Sequence, residues 1–428
     1  MKVADRVFPL TRGQLDIWLA EKTGRFGAKW QLGVLLRIDG AVDPGVLQFA
    51  IRQVVQEAEP LRAIFFEVDH KVFQRVVDHP DVELARYDLL GAQDPAQEAY
   101  RLASSIQRTL MPLSGPLFKF ALMQTRVDEF YLFVCCHHIV VDGIGLALVC
   151  HRIAAVYSAI VGRSSIPPAF FGSLGDLIDY ESEYEASNDY LDDQAYWAKN
   201  VPGDSGFGYR LNHIAGGSDG QSTPPIQLDD TVVDGILRLS QTLGVRRSSV
   251  ITAACALLVR GYDIENPEVV LDFPVSRRVR PEAKTIPGMM SGVVPLVLTA
   301  EPRQTVSSFC EYVDLRIREA LIHQRFPVQV IERKSRSGDL EQVSNRVVVN
   351  FLPTTHLDNF GGASASGTLT HSGVVDQSGL VFFRDNDQLF LSTQGSGQFF
   401  SNSDVLDLAA RLQRVLAGML TDPGRLVS

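Results

Sequence analysis

The sequence predicts an α+β protein built from two similar lobes. Its 428 residues exceed what one ordinary core accommodates, which favours more than one domain. Helical and strand patterns mix in both halves of the chain, without the strict alternation that is typical of a parallel doubly wound sheet. No exact repeat and no low-complexity tract is present. We place the boundary at residue 175, so the predicted lobes are residues 1–175 and 176–428.

The elements of the first lobe begin with a well-marked helix. Thr11 and Gln14 form a predicted capping box, and Gly24 ends the helical pattern. Asp43 and Pro44 predict the start of a second helix, because aspartate caps the first turn and proline fits within it. The other predicted elements are a strand in QLGVLLRID, a strand pair in LRAIFFEV and KVFQRVV, a helix in DPAQEAYRLASSIQRTL, strands in LFKFALMQTR and EFYLFVCCHH, and a helix in GLALVCHRIAAVYSAIVG.

The second lobe follows two segments rich in turn-forming residues. RSSIPPAFFGSLGD predicts a linker, and NHIAGGSDGQSTPP predicts a polar loop. The predicted elements are then a helix over 232–243, a helix in SSVITAACALLVRGY, strands in EVVLDFPV and VVPLVLT, a helix over 306–321, strands in RVVVNFLP, GLVFFRD and QLFLSTQG, and a final helix in DVLDLAARLQRVLAGML.

Composition and charge exclude several classes of function. Apolar residues make up 45% and charged residues 21%, as in an ordinary globular protein. A net charge of −10 argues against binding to nucleic acid and to anionic membranes. We expect no transmembrane helix and find no apolar core of a signal peptide, so the expected location is the cytoplasm. The five cysteines show no CxxC spacing and are predicted to be reduced, mostly core thiols.

The stretch FYLFVCCHHIVVDGIG carries the candidate chemistry. On a strand, Cys135 and His137 would face one side, and Cys136 and His138 the other. These four side chains cannot close a tetrahedral shell, so we expect no metal site. His137 and both cysteines are predicted to pack in the core. His138 would stand at the strand end, where catalytic groups are common, with Asp142 at the positive end of the next helix.

Residues 137–143 match HHxxxDG, the signature of the condensation-domain superfamily, whose relatives include chloramphenicol acetyltransferase. The chain resembles this superfamily over nearly its whole length. Three segments depart from the usual motifs: Glu57-Ala58 replaces Arg-His, Gly292 replaces an asparagine, and Arg325 replaces an acidic residue. These departures concern the acceptor side and the subclass. The further segments that resemble the family motifs, in order, are PLTRGQLDIW, EPLRAIF, GSLGDLIDYE with QAYW, PVSRRVRPE, GMMSGVVPL and HQRFPVQ.

The resemblance implies a fold and a reaction. The fold would be two chloramphenicol acetyltransferase-like lobes in a V-shaped pseudo-dimer, with an active-site tunnel between them. The reaction would be amide formation, in which the amine of a carrier-bound aminoacyl group attacks a carrier-bound acyl or peptidyl thioester. No cofactor would be bound directly, and the 4′-phosphopantetheine arms of the donor and acceptor carrier proteins would enter as substrates. An adenylation domain would follow, and the donor would arrive in trans or as an acyl-CoA.

The resemblance also implies roles for individual residues. His138 would face the tunnel and act on the acceptor amine as a base or as a positioning or electrostatic group, and these roles remain open. Asp142 would pair with Arg278, although a solvated basic face formed with the neighbouring arginines is the alternative. Gly143 would allow close approach of the chain to the tunnel. The candidate catalytic set is His138, Asp142, His137 and Gly143, and the tunnel candidates are Asn350 and Gly292.

Three other functions belong to the same resemblance. An acyltransferase that makes esters, or one that uses a starter acyl-CoA, would share the HHxxxDG motif. An epimerisation domain would share it too, but the other motifs of that class find no match. An inactive docking module that recruits a partner enzyme would usually lack one signature residue, whereas both histidines are present here.

Overall fold

Helices and strands are mixed throughout the chain, which confirms the predicted α+β class. The computed structural model describes residues 6–22, 30–201, 225–261, 268–301, 303–331, 346–352, 357–372, 379–385, 388–394 and 402–427. In order, its elements are β1 (Val7–Pro9), α1 (Arg12–Lys22), β2 (Gln31–Asp39), α2 (Pro44–Glu57), β3 (Ala63–Val68), β4 (Lys71–Val76), β5 (Leu84–Asp88), α3 (Pro95–Arg108), β6 (Phe118–Arg126), β7 (Glu129–His137), α4 (Gly143–Val161), α5 (Leu174–Glu185), α6 (Asn188–Asn200), β8 (Ile226–Gln227), α7 (Asp230–Leu243), α8 (Arg247–Arg260), β9 (Glu268–Val275), β10 (Gly292–Thr299), α9 (Val306–Ile322), β11 (Val347–Phe351), β12 (Leu357–Phe360), β13 (Ala363–Ser372), β14 (Gly379–Asp385), β15 (Gln388–Gln394) and α10 (Asn402–Thr421).

These elements form two units, each with its own hydrophobic core. The first unit consists of residues 1–186, 278–291 and 353–374, and the second of residues 187–277, 292–352 and 375–428. Two segments from the second half of the chain therefore pack with the first unit. The division into lobes at residue 175 stays a prediction.

A six-stranded sheet with the order β12-β13-β2-β7-β6-β5 is the centre of the first unit. β7 lies between β2 and β6 and is antiparallel to both. All nine residues of β7 are buried, so a polar side chain on this strand must find its partners inside the protein. The first unit also contains a small sheet with the order β1-β4-β3.

Helix α4 packs in the core of the first unit. It is long and apolar enough to cross a membrane by length and composition, and 61% of that window is buried inside the structure. Burial against the rest of the unit accounts for its apolar character, because a helix enclosed on most sides is apolar on most sides.

Several strands of the first unit escaped the sequence analysis. β5 is parallel to β6, and β13 reaches back from the second half of the chain to pair with β2. Neither pairing leaves a local signal such as a hairpin turn. Of the two segments rich in turn-forming residues, the predicted linker spans residues 163–176, and its last three residues belong to α5, which begins at Leu174. Residues 212–224 of the predicted polar loop lie outside the described residues.

The second unit is built on a six-stranded sheet with the order β10-β9-β11-β14-β15-β8. Strand β11 is parallel to both β9 and β14, whereas β10 and β15 are antiparallel to their neighbours. Trp197 on α6 is fully buried in this unit and donates from its indole N–H to the carbonyl of His323, at 2.8 Å.

Candidate active site

His137 is the last residue of β7 and is almost completely buried. Its Nδ1 accepts a hydrogen bond from the backbone N–H of Ile139, at 3.2 Å. Its Nε2 lies 3.3 Å from a carboxylate oxygen of Glu21 on α1. This pattern fits a neutral ring with the proton on Nε2, because Nδ1 must accept. His137 therefore anchors the end of the strand and has no nitrogen left for a substrate.

His138 follows the strand and is placed differently. Its backbone N–H donates to the carbonyl of Trp30, at 2.7 Å. Nδ1 is enclosed and has no hydrogen-bond partner in the described chain, although the residue as a whole stays partly exposed. Of the two ring nitrogens, Nε2 is therefore the candidate to reach a substrate. Burial lowers the pKa of His138 below its ordinary 6.5, against the opposing attraction of Asp142. The neutral form therefore dominates at neutral pH.

Asp142 caps helix α4 and is saturated with hydrogen bonds. Oδ1 accepts from the backbone N–H of Gly145 at 2.9 Å and from Nη2 of Arg278 at 2.9 Å. Oδ2 accepts from Nη1 of Arg278 at 2.6 Å and from the backbone N–H groups of Met290 at 3.1 Å and Ser291 at 2.9 Å. The carboxylate is almost fully buried, and these five donors leave it no free direction toward another group.

The charge of Asp142 is stabilised despite its burial. Burial alone would raise the pKa of this carboxyl group, but the attraction of Arg278 and the hydrogen bonds from Arg278, Gly145 and Met290 outweigh it and lower the pKa. Asp142 and Arg278 both belong to the first unit, so the pair lies inside one unit and joins residues that are 136 positions apart along the chain. Arg278 also donates to the carbonyls of Ile286 and Gly288.

The alternative interpretation of the arginines as one solvated basic face does not hold. Arg278 is buried on Asp142, whereas Arg280 is exposed and lies 3.3 Å from Glu183. Arg277 adopts a positive φ of 56°, and its backbone N–H donates to the side chain of Gln324. The side chains of Arg278 and Arg280 therefore lie in different environments.

A buried glutamine is hydrogen-bonded to the backbone of the loop that follows His138. Gln14 on α1 donates to the carbonyl of Ile139, at 3.2 Å, and exchanges two side-chain hydrogen bonds with Gln74. The same side chain accepts from the backbone N–H of Thr11, which completes the predicted capping box. The opening motif of the sequence thus contributes to the site through the backbone of the loop, a connection that the sequence did not reveal.

The two glycines at the start of α4 differ in the space around them. A Cβ atom on Gly143 would meet nothing within 4 Å among the described residues. A Cβ atom on Gly145 would lie 2.8 Å from Cγ2 of Val141 and 3.1 Å from the backbone carbonyl carbon of Pro287. Close approach of two chain segments is thus required at Gly145, which the sequence analysis did not single out. Gly143 borders open space.

Replacing each glycine with alanine should separate these two environments. We expect Gly145→Ala to destabilise the protein by about 1–3 kcal/mol, because the added methyl group displaces the backbone at Pro287. Gly143→Ala should change the free energy of unfolding by less than about 1 kcal/mol. Chemical denaturation of both variants measures this difference, and equal stability of the two variants would contradict it.

The remaining candidates lie in the second unit. Asn350 is a partly exposed residue of β11 and pairs in register with Val381 on β14. Gly292 begins β10, and a Cβ atom there would meet the guanidinium group of Arg277. The structure brings His137, His138, Asp142, Gly143 and Arg278 together in the first unit and places Asn350 and Gly292 in the second. The roles of the last two in a tunnel stay predictions.

The cysteines beside the histidines are buried and free. Burial raises the pKa of Cys135 to about 12 and also raises the pKa of Cys136. Both thiols are therefore protonated at neutral pH and are poor nucleophiles. Within the described ranges, no group of three or more His, Cys, Asp or Glu side chains is arranged to hold a metal ion.

Comparison of the sequence with known proteins finds a family model and relatives that match nearly the whole chain. A family model described as a condensation domain matches residues 4–428. The dimodular nonribosomal peptide synthase of Bacillus subtilis (strain 168) is 23% identical over 409 residues, which cover 94% of this chain and 17% of the relative. Enterobactin synthase component F of Escherichia coli (strain K12) is 25% identical over 427 residues, which cover 98% of this chain and 33% of the relative. The chain thus spans a third or less of these relatives.

Solved structures with the same fold extend this likeness. The first condensation domain of the calcium-dependent antibiotic synthetase, in complex with a substrate analogue, has a TM-score of 0.90 and 27% identity, covering 99% of this chain and 98% of that one. The starter condensation domain of rhizomide synthetase, in complex with C8-CoA, has a TM-score of 0.88 and 25% identity, covering 98% and 96%.

Proposed function

The chain belongs to the condensation-domain family, and from this premise we propose that it forms amide bonds. The acceptor is the amine of an aminoacyl group on one carrier protein, and the donor is an acyl or peptidyl thioester on another. The observation that carries the proposal is the neutral imidazole of His138, a partly exposed residue at the end of a buried strand. An imidazole of this kind can hold or deprotonate an amine at neutral pH.

The proposed reaction conserves atoms and charge. The acceptor nitrogen attacks the thioester carbonyl carbon, the C–N bond forms, and the negative charge moves to the carbonyl oxygen. His138 takes the proton that the nitrogen loses and returns it to the departing thiolate as the C–S bond breaks. No covalent acyl-enzyme is needed, because the thioester already activates the acyl group. The products are the amide on the acceptor carrier and the free thiol of the donor.

In the proposed mechanism Asp142 has a structural role and transfers no proton. Its five hydrogen bonds and its buried partner Arg278 hold the carboxylate in the charged state, so it has no proton to give and no free oxygen to accept one. What it contributes is a fixed start for helix α4 and a fixed path for the loop that begins at His138.

The start of α4 offers hydrogen-bond donors for the negative charge that develops on the carbonyl oxygen of the thioester. The backbone N–H groups of Gly143 and Ile144 make no hydrogen bond within the part of the chain that the structure describes. Helix N-termini favour negative charge, because their first N–H groups lack acceptors in the helix. We assign them as candidates to stabilise the oxyanion, which makes the backbone of Gly143, five residues after His138, part of the site.

One observation supports an acyl-CoA as a second kind of acyl donor. The starter condensation domain of rhizomide synthetase, 25% identical to this chain, was solved with C8-CoA. An acyl-CoA carries the same pantetheine thioester as a loaded carrier protein, so the chemistry at His138 would be unchanged. The competing donors are distinguished by the thiol that is released.

Reconstitution with loaded carriers tests the function. The protein is incubated with an acceptor carrier bearing an aminoacyl group and with either acyl-carrier or acyl-CoA donors, and the acceptor is analysed by intact mass spectrometry. We expect the acceptor to gain the mass of the acyl group. Hydroxyacyl acceptors test ester formation in parallel. No product from any pair, although both carriers bind, would favour an inactive docking module.

The pH dependence of kcat/KM should reflect the protonation of two groups, the acceptor amine and His138. The acceptor amine, with a pKa of about 8, must be neutral to attack. Since burial lowers the pKa of His138 below 6.5, its base form persists to lower pH than that of an exposed histidine. We expect log kcat/KM to rise with unit slope from pH 6.5 toward 8 and to steepen to a slope of about two only below 6.5. A slope of two already above pH 6.5 would contradict a lowered pKa.

A further inference from the structure

The His138 ring lacks the hydrogen bond that usually orients a catalytic imidazole. In most base arrangements a third group holds the nitrogen that does not react. Here Nδ1 is enclosed without a partner among the described residues. The backbone carbonyls of His138 and Val141 favour its charged form, but neither meets hydrogen-bond geometry with Nδ1. Asp142, the nearby carboxylate, is already occupied by five other donors.

The side chain of Trp30 contacts this ring. Gln31 and His137 form the last pair in register between β2 and β7, so Trp30 and His138 extend the two strands by one residue each. The backbone N–H of His138 donates to the Trp30 carbonyl at 2.7 Å. The two rings meet edge to face, with centroids 6.3 Å apart and planes at 81°. This is a favoured geometry for aromatic pairs.

Resting on the proposed function, we infer that Trp30 is a positioning residue for His138. Its indole blocks rotation of the imidazole and keeps Nε2, rather than Nδ1, turned toward the acceptor amine. The backbone hydrogen bond fixes the distance between the two residues, and the indole fixes the plane of the ring. Packing replaces the side-chain hydrogen bond that would do this work in other enzymes.

The indole also covers part of the ring against water. Burial is the largest cause of the lowered pKa of His138, and the titratable groups that act on it are Asp142, which raises the pKa, and His137, which lowers it. Neither of these groups is held by Trp30. Truncation of Trp30 should therefore admit water and move the pKa upward toward 6.5 without changing the neighbouring charges.

Trp30→Ala and Trp30→Phe test the inference, with Phe360→Leu as a matched control. Phe360 is a fully buried residue of the same unit, and its ring lies 4.9 Å from that of Tyr157, toward the end of α4 that is distant from His138. We expect Trp30→Ala to lower the single-turnover rate with saturating carriers roughly 10–100-fold through misorientation of the base, with little change in KM. Trp30→Phe should restore most of the rate, because it again presents a ring edge.

An NMR titration of the histidine side chains supplies a readout that does not depend on activity. The His138 signal is identified by its loss in His138→Gln. We expect its pKa to rise toward 6.5 in Trp30→Ala and to stay unchanged in Phe360→Leu, which should lose stability alone. If Trp30→Ala does not fold, Trp30→Leu takes its place. Because leucine fills space without presenting a ring edge, we expect the same fall in rate with a smaller rise in the pKa of His138.

The outcomes separate this inference from the proposed function. An active wild-type protein whose rate and His138 pKa are both unchanged by Trp30→Ala would overturn the role of Trp30. A wild-type protein that forms no product with any donor would overturn the proposed function. In that case the imidazole titration still decides whether Trp30 holds and shields the ring.

Discussion

Replacing His138 with alanine should leave a folded protein that has lost most of its turnover. Proton transfer by a positioned base contributes about 10²–10⁴-fold to a rate, and we expect a loss of this size in single-turnover amide formation. The fold should survive, because the only buried polar atom removed, Nδ1, has no partner that would be left unpaired in the described chain. Thermal unfolding and a rapid-quench assay with loaded carriers measure the two effects separately.

His137→Ala is the control for this experiment. This change removes the acceptor for the Ile139 N–H and the partner of Glu21, so we expect a loss of roughly 1–3 kcal/mol in stability. Turnover of the folded fraction should fall much less than in His138→Ala. A His138→Ala protein with a near-normal rate would exclude His138 as the group that acts on the amine.

The largest loss of stability should follow from separating Asp142 and Arg278. Asp142→Ala leaves a buried guanidinium group without its counter-ion and three backbone N–H groups without an acceptor. Breaking a buried pair by removing one partner costs about 3–5 kcal/mol. We expect Asp142→Ala to approach the upper end of this range and Arg278→Ala the lower end, because the carboxylate retains its three backbone donors.

A double-mutant cycle gives this prediction its control. The protein lacking both side chains should be less damaged than the sum of the single variants, because no unpaired charge remains in the core. Arg280→Ala should cost less than about 1 kcal/mol, since its pair with Glu183 lies at the surface. A stable Asp142→Ala protein that had lost only turnover would assign the aspartate to the chemistry instead.

Lowering the pH should also weaken the contribution of the Asp142–Arg278 pair to the free energy of unfolding. The pKa of Asp142 is held below its ordinary value, so its contribution to stability is present above the unfolded pKa near 3.8 and is lost as the pH falls through the folded pKa. The same double-mutant cycle, repeated in acid, should therefore show a coupling free energy that shrinks with protonation.

The sequence predicted those parts of the fold that depend on neighbouring residues. Asp43 caps α2 through the N–H groups of Gly45 and Val46, and Asp142 caps α4 through that of Gly145, as the local patterns indicate. The pairing of β13 with β2 and of β5 with β6 was not predicted, because each joins segments that are distant along the chain. Long-range pairing leaves no periodic signal in one sequence.

The candidate site likewise contains residues that the local sequence predicted and residues whose role depends on distant segments of the chain. His137, His138, Asp142 and Gly143 are consecutive enough to form one motif, and Arg278 was paired with Asp142 through the family resemblance. Trp30 could not be linked to His138, because the link depends on the register between β2 and β7. The tight approach of Gly145 to Pro287 likewise depends on a chain segment that returns more than a hundred residues later.

The discontinuous first unit has a consequence for protein synthesis. Until the ribosome has released β13, the central sheet ends at β2, whose unpaired edge contains Leu35, Leu36 and Ile38. Asp142 and Arg278 cannot meet until residue 278 has emerged. The nascent chain therefore carries an incomplete, adhesive sheet edge while much of the second unit is being translated, which exposes it to aggregation and to chaperone capture. A shortened chain that stopped after α5 would keep that edge permanently.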